Sequence, residues 1–238
     1  MRVLVTRPEP GASATSSRLR ERGFEPVLLP LSRTEPVVQG DMPEPDRFDA
    51  VVLTSANAIR YAPAETGRRY GHLPCLAVGD RTAEAAAKAG FSQIESADGD
   101  VRSLTALVEA TWPAGSRLLY LCGQRRRPEL ERELGALGYE IVVLETYRTE
   151  PTGYSPSEVE QLVGSDPVGA VLLYSPFAAE RLSALAAQPG LSRRFATTRI
   201  LCMSAQIRAG LPPSLHERAE TAESPDEEAL LALLSRAG

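Results

Sequence analysis

The chain has 238 residues, 43% of them hydrophobic and 24% charged, with 26 lysines and arginines against 31 acids and a net charge of -5. That usage belongs to a folded globular protein and excludes a disordered or fibrous one; the spread of the basic residues argues against general nucleic-acid binding. No stretch reaches the roughly 18 consecutive apolar residues of a membrane helix, and the N-terminus opens on a strand-like run, so the expectation is a cytoplasmic protein without membrane contact.

In chain order, short runs rich in Val, Ile and Leu at 3–6, 27–31, 50–55, 75–79, 118–122, 141–146, 170–175 and 200–203 predict strands. Segments of helical period at 15–22, 81–89, 101–110, 128–137, 177–187 and 226–236 predict helices, with Gly23, Gly90 and Gly138 as C-terminal stops. Near-continuous apolar runs alternating with helices are the pattern of buried parallel strands. Cys75, Cys122 and Cys202 each fall inside a strand-like run and read as small buried hydrophobes; with two histidines in the chain, no metal site is expected. Lys88 is the sole lysine, so guanidinium groups, which suit carboxylates and phosphates, supply nearly all the positive charge.

The sequence also repeats itself once, over about 1–110 and 117–237. LRERGFEPVLLP at 19–30 matches LGALGYEIVVLE at 134–145, RTEP at 33–36 recurs at 148–151, and AVVLTSANA at 50–58 matches AVLLYSPFA at 170–178. The order of the matches argues for two similar halves with a functional site between them. Proline in each RTEP ends strand pairing and marks a crossing from one sheet to the next.

No dinucleotide-binding, phosphate-loop, zinc-protease, nucleophile-elbow or paired-cysteine motif is present, and no cofactor is expected. What remains are small polar residues at the carboxyl ends of predicted strands, where open α/β sheets bind ligands: Thr6–Arg7, Thr54–Ser55, Gly79 to Thr82, Cys122 to Gln124 and Tyr174–Ser175. Each run enters a helix N-terminus, whose free N–H groups favour anions. Any one of these residues alone reads first as a helix cap; several together suit a polycarboxylate or polyphosphate.

VLVTRPEPGASATSSRLRERGFEPVLLPL, VVLTSANAI, AVGDRTAEAAAKAGF, LLYLCGQRRRPELERELGALGYEIVVLETYRTEP, AVLLYSP and TAESPDEEAL, taken in order, resemble the uroporphyrinogen-III synthase family over nearly the whole chain. The resemblance implies two flavodoxin-like, doubly wound α/β domains joined by a two-stranded antiparallel linker with a cleft between them. It places 1–33 with 152–238 in one discontinuous domain, 38–146 in an inserted domain, and the linker strands at 34–37 and 147–151. It further implies a cofactor-free enzyme that closes the linear tetrapyrrole hydroxymethylbilane to uroporphyrinogen III, losing water and inverting ring D through a spiro intermediate. The substrate's eight carboxylates suit the anion-receptor reading. Tyr147 matches the tyrosine that the family places on a linker strand and is expected to protonate the leaving hydroxyl, with Glu145 and Glu150 as alternative acids.

Thr54, Ser55 and Thr82 match the family's small polar positions and are expected to bind acetate and propionate groups. Arg7, Arg81, Tyr174, Ser175 and Ser204 complete the expected substrate contacts. Arg125 to Arg127 read as a solvated run. Gly79 to Gly90 spans eleven steps and the equivalent Met203 to Gly210 only seven, so one helical turn is missing there, with Ser204 and Gln206 standing in. The expected partner is the small-molecule tetrapyrrole, with no nucleic acid; the protein is expected to be a monomer making at most transient contact with hydroxymethylbilane synthase. The competing reading is a two-lobed anion-binding or regulatory module related to this family but without catalysis; a nucleotide-binding enzyme ranks below it for want of a phosphate fingerprint.

Overall fold

The computed structural model describes residues 1–37, 42–188, 191 and 195–235. The chain opens with β1 (Arg2–Val5), α1 (Gly11–Glu21), β2 (Glu25–Leu28) and β3 (Ser32–Pro36). It continues through β4 (Ala50–Leu53), α2 (Ala56–Arg60), α3 (Thr66–Tyr70), β5 (Cys75–Ala77), α4 (Asp80–Ala89), β6 (Ile94–Ser96), α5 (Val101–Thr111), β7 (Arg117–Gly123), α6 (Glu129–Ala136) and β8 (Glu140–Pro151). The last stretch holds α7 (Pro156–Val163), β9 (Ala170–Leu173), α8 (Pro176–Ala186), β10 (Arg199–Cys202), α9 (Ala205–Ala209), α10 (Pro213–His216), β11 (Ala219–Thr221) and α11 (Glu227–Ala232). None of these helices is long and apolar enough to cross a membrane.

Two units result: Met1–Arg33 with Glu150–Gly238, and Thr34–Thr149. Unit 1 holds the sheet β11-β10-β9-β1-β2, and unit 2 holds β6-β5-β4-β7-β8, with β3 added beside β8. All the pairs from β11 to β2 and from β6 to β8 are parallel. In unit 1 the chain leaves β1 for β2 on one side and returns to β9 on the other; in unit 2 it leaves β4 for β5 and β6, then returns to β7. Each sheet therefore has a topological switch point, between β1 and β9 and between β4 and β7, where open α/β sheets bind ligands at their carboxyl ends.

The two sheets are circular permutants of one another. β9 and β1 pair with Ala170 opposite Val3, and β4 and β7 with Ala50 opposite Leu118. The equivalent residues, Ala50 with Ala170 and Val3 with Leu118, lie 120 and 115 residues apart, the spacings at which the sequence repeats. The sequence copies themselves are not the units, because unit 1 takes its first two strands from one end of the chain and its other three from the opposite end.

Strand residues are small, branched or aliphatic because both faces of each sheet are covered. Val51 and Leu53 pack on one face of the second sheet with Leu119 and Leu121, while Ala50 and Val52 pack on the other with Leu118 and Tyr120. In the first sheet Leu4, Val171 and Leu173 face one way and Val3, Val5, Ala170 and Leu172 the other. Each such Val or Leu contributes roughly 1.5–3 kcal/mol on burial. Cys75, Cys122 and Cys202 are buried among them, and burial pushes all three thiols up to about 12. Among the described residues no cluster of His, Cys, Asp and Glu is placed to hold a metal ion.

Among the strands that stop earlier than their apolar runs predict, β4, β9 and β10 end at Leu53, Leu173 and Cys202. In each case a serine two residues on turns its side chain onto a helix N–H: Ser55 onto Asn57, Ser175 onto Ala178 and Ser204 onto Ile207. The cap takes the backbone out of the ladder. β2 begins and ends earlier than 27–31, yet the N–H groups of Leu29 and Leu31 still bond to the Val5 and Thr6 carbonyls around Pro30. The segment 141–151 forms one strand rather than a strand followed by a linker, and α9 has five residues where its counterpart α4 has ten.

β3 and β8 carry the chain between the units. Val37 N–H donates to the Thr146 carbonyl and Thr152 N–H to the Leu31 carbonyl, so the partners run in opposite order and the pair is antiparallel. Arg148 and Glu35 form an ion pair across it at 3.1 Å.

Candidate functional site

At the switch point of unit 2, β7 bulges between Cys122 and Gly123, so that Gly123 comes to lie opposite Tyr147. The phenol of Tyr147 lies across this glycine: a Cβ on Gly123 would sit 2.6 Å from Cζ and 3.0 Å from the hydroxyl oxygen. Only a residue without a side chain lets the ring rest there. Gln124 N–H donates to the Tyr147 carbonyl at 2.9 Å, fixing the backbone on the same side, and the Tyr61 ring stands 6.2 Å away, tilted by 37°. The next residue back, Thr146, is fully buried and donates from Oγ1 to the Ala58 carbonyl at 2.6 Å, which ties β8 to α2.

Burial raises the Tyr147 pKa, the Ser55 side chain draws it partly back down, and the Cys122 thiol adds to the rise. The phenol is therefore neutral at physiological pH and available as a hydrogen-bond donor. Ser55, which caps α2, brings its hydroxyl to the same corner. Thr54, just before it, shares a 2.8 Å hydrogen bond with the Tyr120 hydroxyl. Burial pushes Tyr120 up to about 12, with the Thr54 contact opposing. Thr54, Ser55 and Tyr147 are thus brought together around the ends of β4 and β7, and Tyr120 joins them without any local signal of its own.

The alternative acid Glu145 is held by Arg126 at 2.8 Å, and the same guanidinium binds Glu131 at 2.7 Å. Both carboxylates are thereby turned onto Arg126. Arg126, read as part of a solvated run, is instead the hub of this pair. Arg81 and Thr82 stand one strand further out, in the first turn of α4; Thr82 is buried and its N–H bonds to the Gly79 carbonyl, while Arg81 is exposed.

The switch point of unit 1 is built differently. Arg7, after β1, lies with its guanidinium carbon 4.3 Å from the centroid of the Tyr174 ring, after β9. Its Nη1 contacts Glu227 at 3.4 Å and Thr15 at 3.5 Å. The Tyr174 hydroxyl donates to Glu227 at 3.0 Å, and Thr15 and Arg18 also donate to that carboxylate. A Cβ on Gly11 would sit 2.3 Å from the Arg7 Nε, so any side chain there would move the guanidinium. Burial drives the Tyr174 phenol well above its usual range. Arg7 and Tyr174 are therefore engaged by an internal carboxylate. Glu227, from the run PDEEAL, carries no sequence signal beyond a helix start, and neither do its partners Thr15 and Arg18. Ser175 and Ser204 serve as caps on adjacent strands; a capping hydroxyl accepts from the backbone and keeps its own proton to donate.

Each unit by itself offers neutral hydroxyl donors at its strand ends. It can bind carboxylates and donate hydrogen bonds to a leaving oxygen.

The family model for uroporphyrinogen-III synthase HemD matches residues 13–232. The chain is 28% identical to the uroporphyrinogen-III synthase of Salmonella typhimurium over 246 aligned positions, covering 98% of this chain and all of that one. Among solved structures it resembles the uroporphyrinogen-III synthetase of Helicobacter pylori, with a TM-score of 0.66, 17% identity and 98% of each chain covered. A mutant uroporphyrinogen III synthase of Thermus thermophilus matches with a TM-score of 0.55 and 21% identity over 99% of this chain and 98% of that one.

Proposed function

The chain belongs to the uroporphyrinogen-III synthase family, and we propose from that premise that it is a lyase that closes hydroxymethylbilane to uroporphyrinogen III, with Tyr147 at the reacting end of the substrate. The observation supporting this assignment is the Tyr147 phenol laid over Gly123 beside the Ser55 cap, at the switch point of its sheet.

The reaction begins as the terminal C–OH bond breaks. The pyrrole nitrogen supplies the electron pair, the hydroxyl leaves as water, and an azafulvene remains. The phenol hydrogen-bonds to the departing oxygen, and the proton that completes the water is balanced by the one lost from the pyrrole N–H. Because burial raises the phenol's pKa, its contribution is a hydrogen bond strengthened at the transition state rather than a lasting phenolate. Ring D then attacks the azafulvene through its substituted carbon, and the spirocyclic pyrrolenine fragments and recloses with ring D inverted. No group other than water is lost. The enzyme's larger task is to impose the geometry that favours this attack over direct closure, which is catalysis by positioning. Hydroxyl donors at the ends of β4, β9 and β10 bind acetate and propionate arms.

Freshly generated hydroxymethylbilane, followed by oxidation and separation of the porphyrin isomers, tests the reading. An excess of isomer III over the spontaneous isomer I supports it. Isomer I alone, at the uncatalysed rate, leaves the non-catalytic anion-binding module.

A further inference from the structure

A groove of about 230 Å³ lies in unit 2 between α2 and α4, lined by Ile59, Arg60, Arg81, Glu84, Ala85, Lys88 and Ala89. Its floor is apolar, with Ile59 and Ala85 buried. Its rim is cationic: Arg60, Arg81 and Lys88 are all exposed, and among the described residues none of them has an ion-pair partner. Glu84 is the one acid, which leaves a surplus of two positive charges on a chain whose net charge is -5.

Two of these cations have an ordinary explanation and the third does not. Arg60 and Lys88 sit in the last turns of α2 and α4, where the helix dipole favours positive charge. Arg81 sits in the first turn of α4, where the dipole opposes it. Arg81, Ala85 and Ala89 recur at four-residue spacing, as do Glu84 and Lys88, so the helix presents one small apolar stripe flanked by charge. The volume is below that of a pocket for a drug-sized ligand and far too small for a tetrapyrrole.

We infer that this groove is a single-ring subsite, taking one pyrrole with an acetate and a propionate arm, its ring on the Ile59–Ala85–Ala89 floor and its two carboxylates on Arg60, Arg81 and Lys88. The inference rests on the tetrapyrrole reading above and assigns one ring of that substrate to residues outside the switch point. The surplus charge matches the two carboxylates of one ring, and the apolar floor suits its face.

The test uses the full-length protein and a free pyrrole carrying one acetate and one propionate, titrated by amide NMR, with glutarate as a diacid lacking the ring. The diacid pyrrole is expected to shift α2 and α4 resonances at concentrations at least tenfold below those glutarate needs. The Arg60→Gln/Lys88→Gln double variant should weaken that binding about tenfold or more and raise KM for hydroxymethylbilane without lowering kcat, and Arg60→Lys should retain most of the affinity. Equal binding of glutarate, shifts elsewhere only, or an unchanged KM in a double variant with a wild-type melting curve would overturn the subsite. The two readings fail separately. Isomer III formation without pyrrole binding at α2 and α4 removes the subsite alone, whereas pyrrole binding there with only isomer I formed removes the enzyme and leaves a pyrrole-binding groove.

Discussion

Tyr147 depends on a neighbour with no side chain. The Cβ of Gly123→Ala would meet the ring at 2.6 Å, so either the phenol swings off the strand end or the β7 bulge opens. Such overpacking costs about 1–3 kcal/mol. The variant is expected to lose stability by that order in urea denaturation and to lose isomer III formation although every polar group remains; full activity would show that the ring position is immaterial. The buried phenols also make a pH prediction. Tyr120 and Tyr147 both ionise less readily in the fold than the ordinary value of 10.0. The unfolded chain therefore deprotonates first as pH rises past 10, and their contribution, complete below that value, is lost as pH climbs toward the 12 of Tyr120. Ultraviolet titration of phenolate should show Tyr120 and Tyr147 ionising later in the folded chain than in the unfolded one, with stability falling over that window. Early ionisation of all seven tyrosines would contradict the burial.

At the level of elements, the residues legible in the sequence were those that follow strands, because the chemistry of a strand end is local: serine caps, glycine turns and proline stops. Ser55, Ser175 and Ser204 are where the sequence places them. Short edge elements such as β6 and β11, and α2, α3, α9 and α10, carry too few residues to show a period, and tertiary pairing defines them instead. Pairings between distant elements leave no local mark either, so Glu227 on Arg7 and Tyr174, or Arg126 on Glu145, emerged only from the fold. Thr146 is another such link, buried between β8 and α2. Thr146→Val keeps the shape but orphans the Ala58 carbonyl, which costs about 1–3 kcal/mol. Denaturant midpoints should fall accordingly with an unchanged slope; no change would show that the bond does not secure α2.

For the whole molecule, the repeat was readable as similarity but not as architecture. Matching segments at 115 and 120 residues apart fix which strands are equivalent, while the permutation that assigns β1 and β2 to the sheet of β9, β10 and β11 depends on closing a sheet across the length of the chain. A contiguous unit 2 and a discontinuous unit 1 should fold differently in isolation. Residues 34–149 hold five parallel strands in order with both faces covered, and are expected to unfold cooperatively as a fragment. Residues 150–238 lack β1, β2 and α1, and should stay unfolded until 1–33 is added in trans. A cooperative 150–238 fragment would contradict the sheet order.

In the proposed reaction the neutral, half-buried Tyr147 phenol assists the departure of water while the strand ends hold the acid arms. Single-turnover kinetics of Tyr147→Phe with hydroxymethylbilane, alongside its binding affinity, address this most directly. Isomer III formation is expected to slow by about tenfold or more, with affinity nearly unchanged and the fold intact. An undiminished rate, or a loss explained wholly by weaker binding, would contradict it.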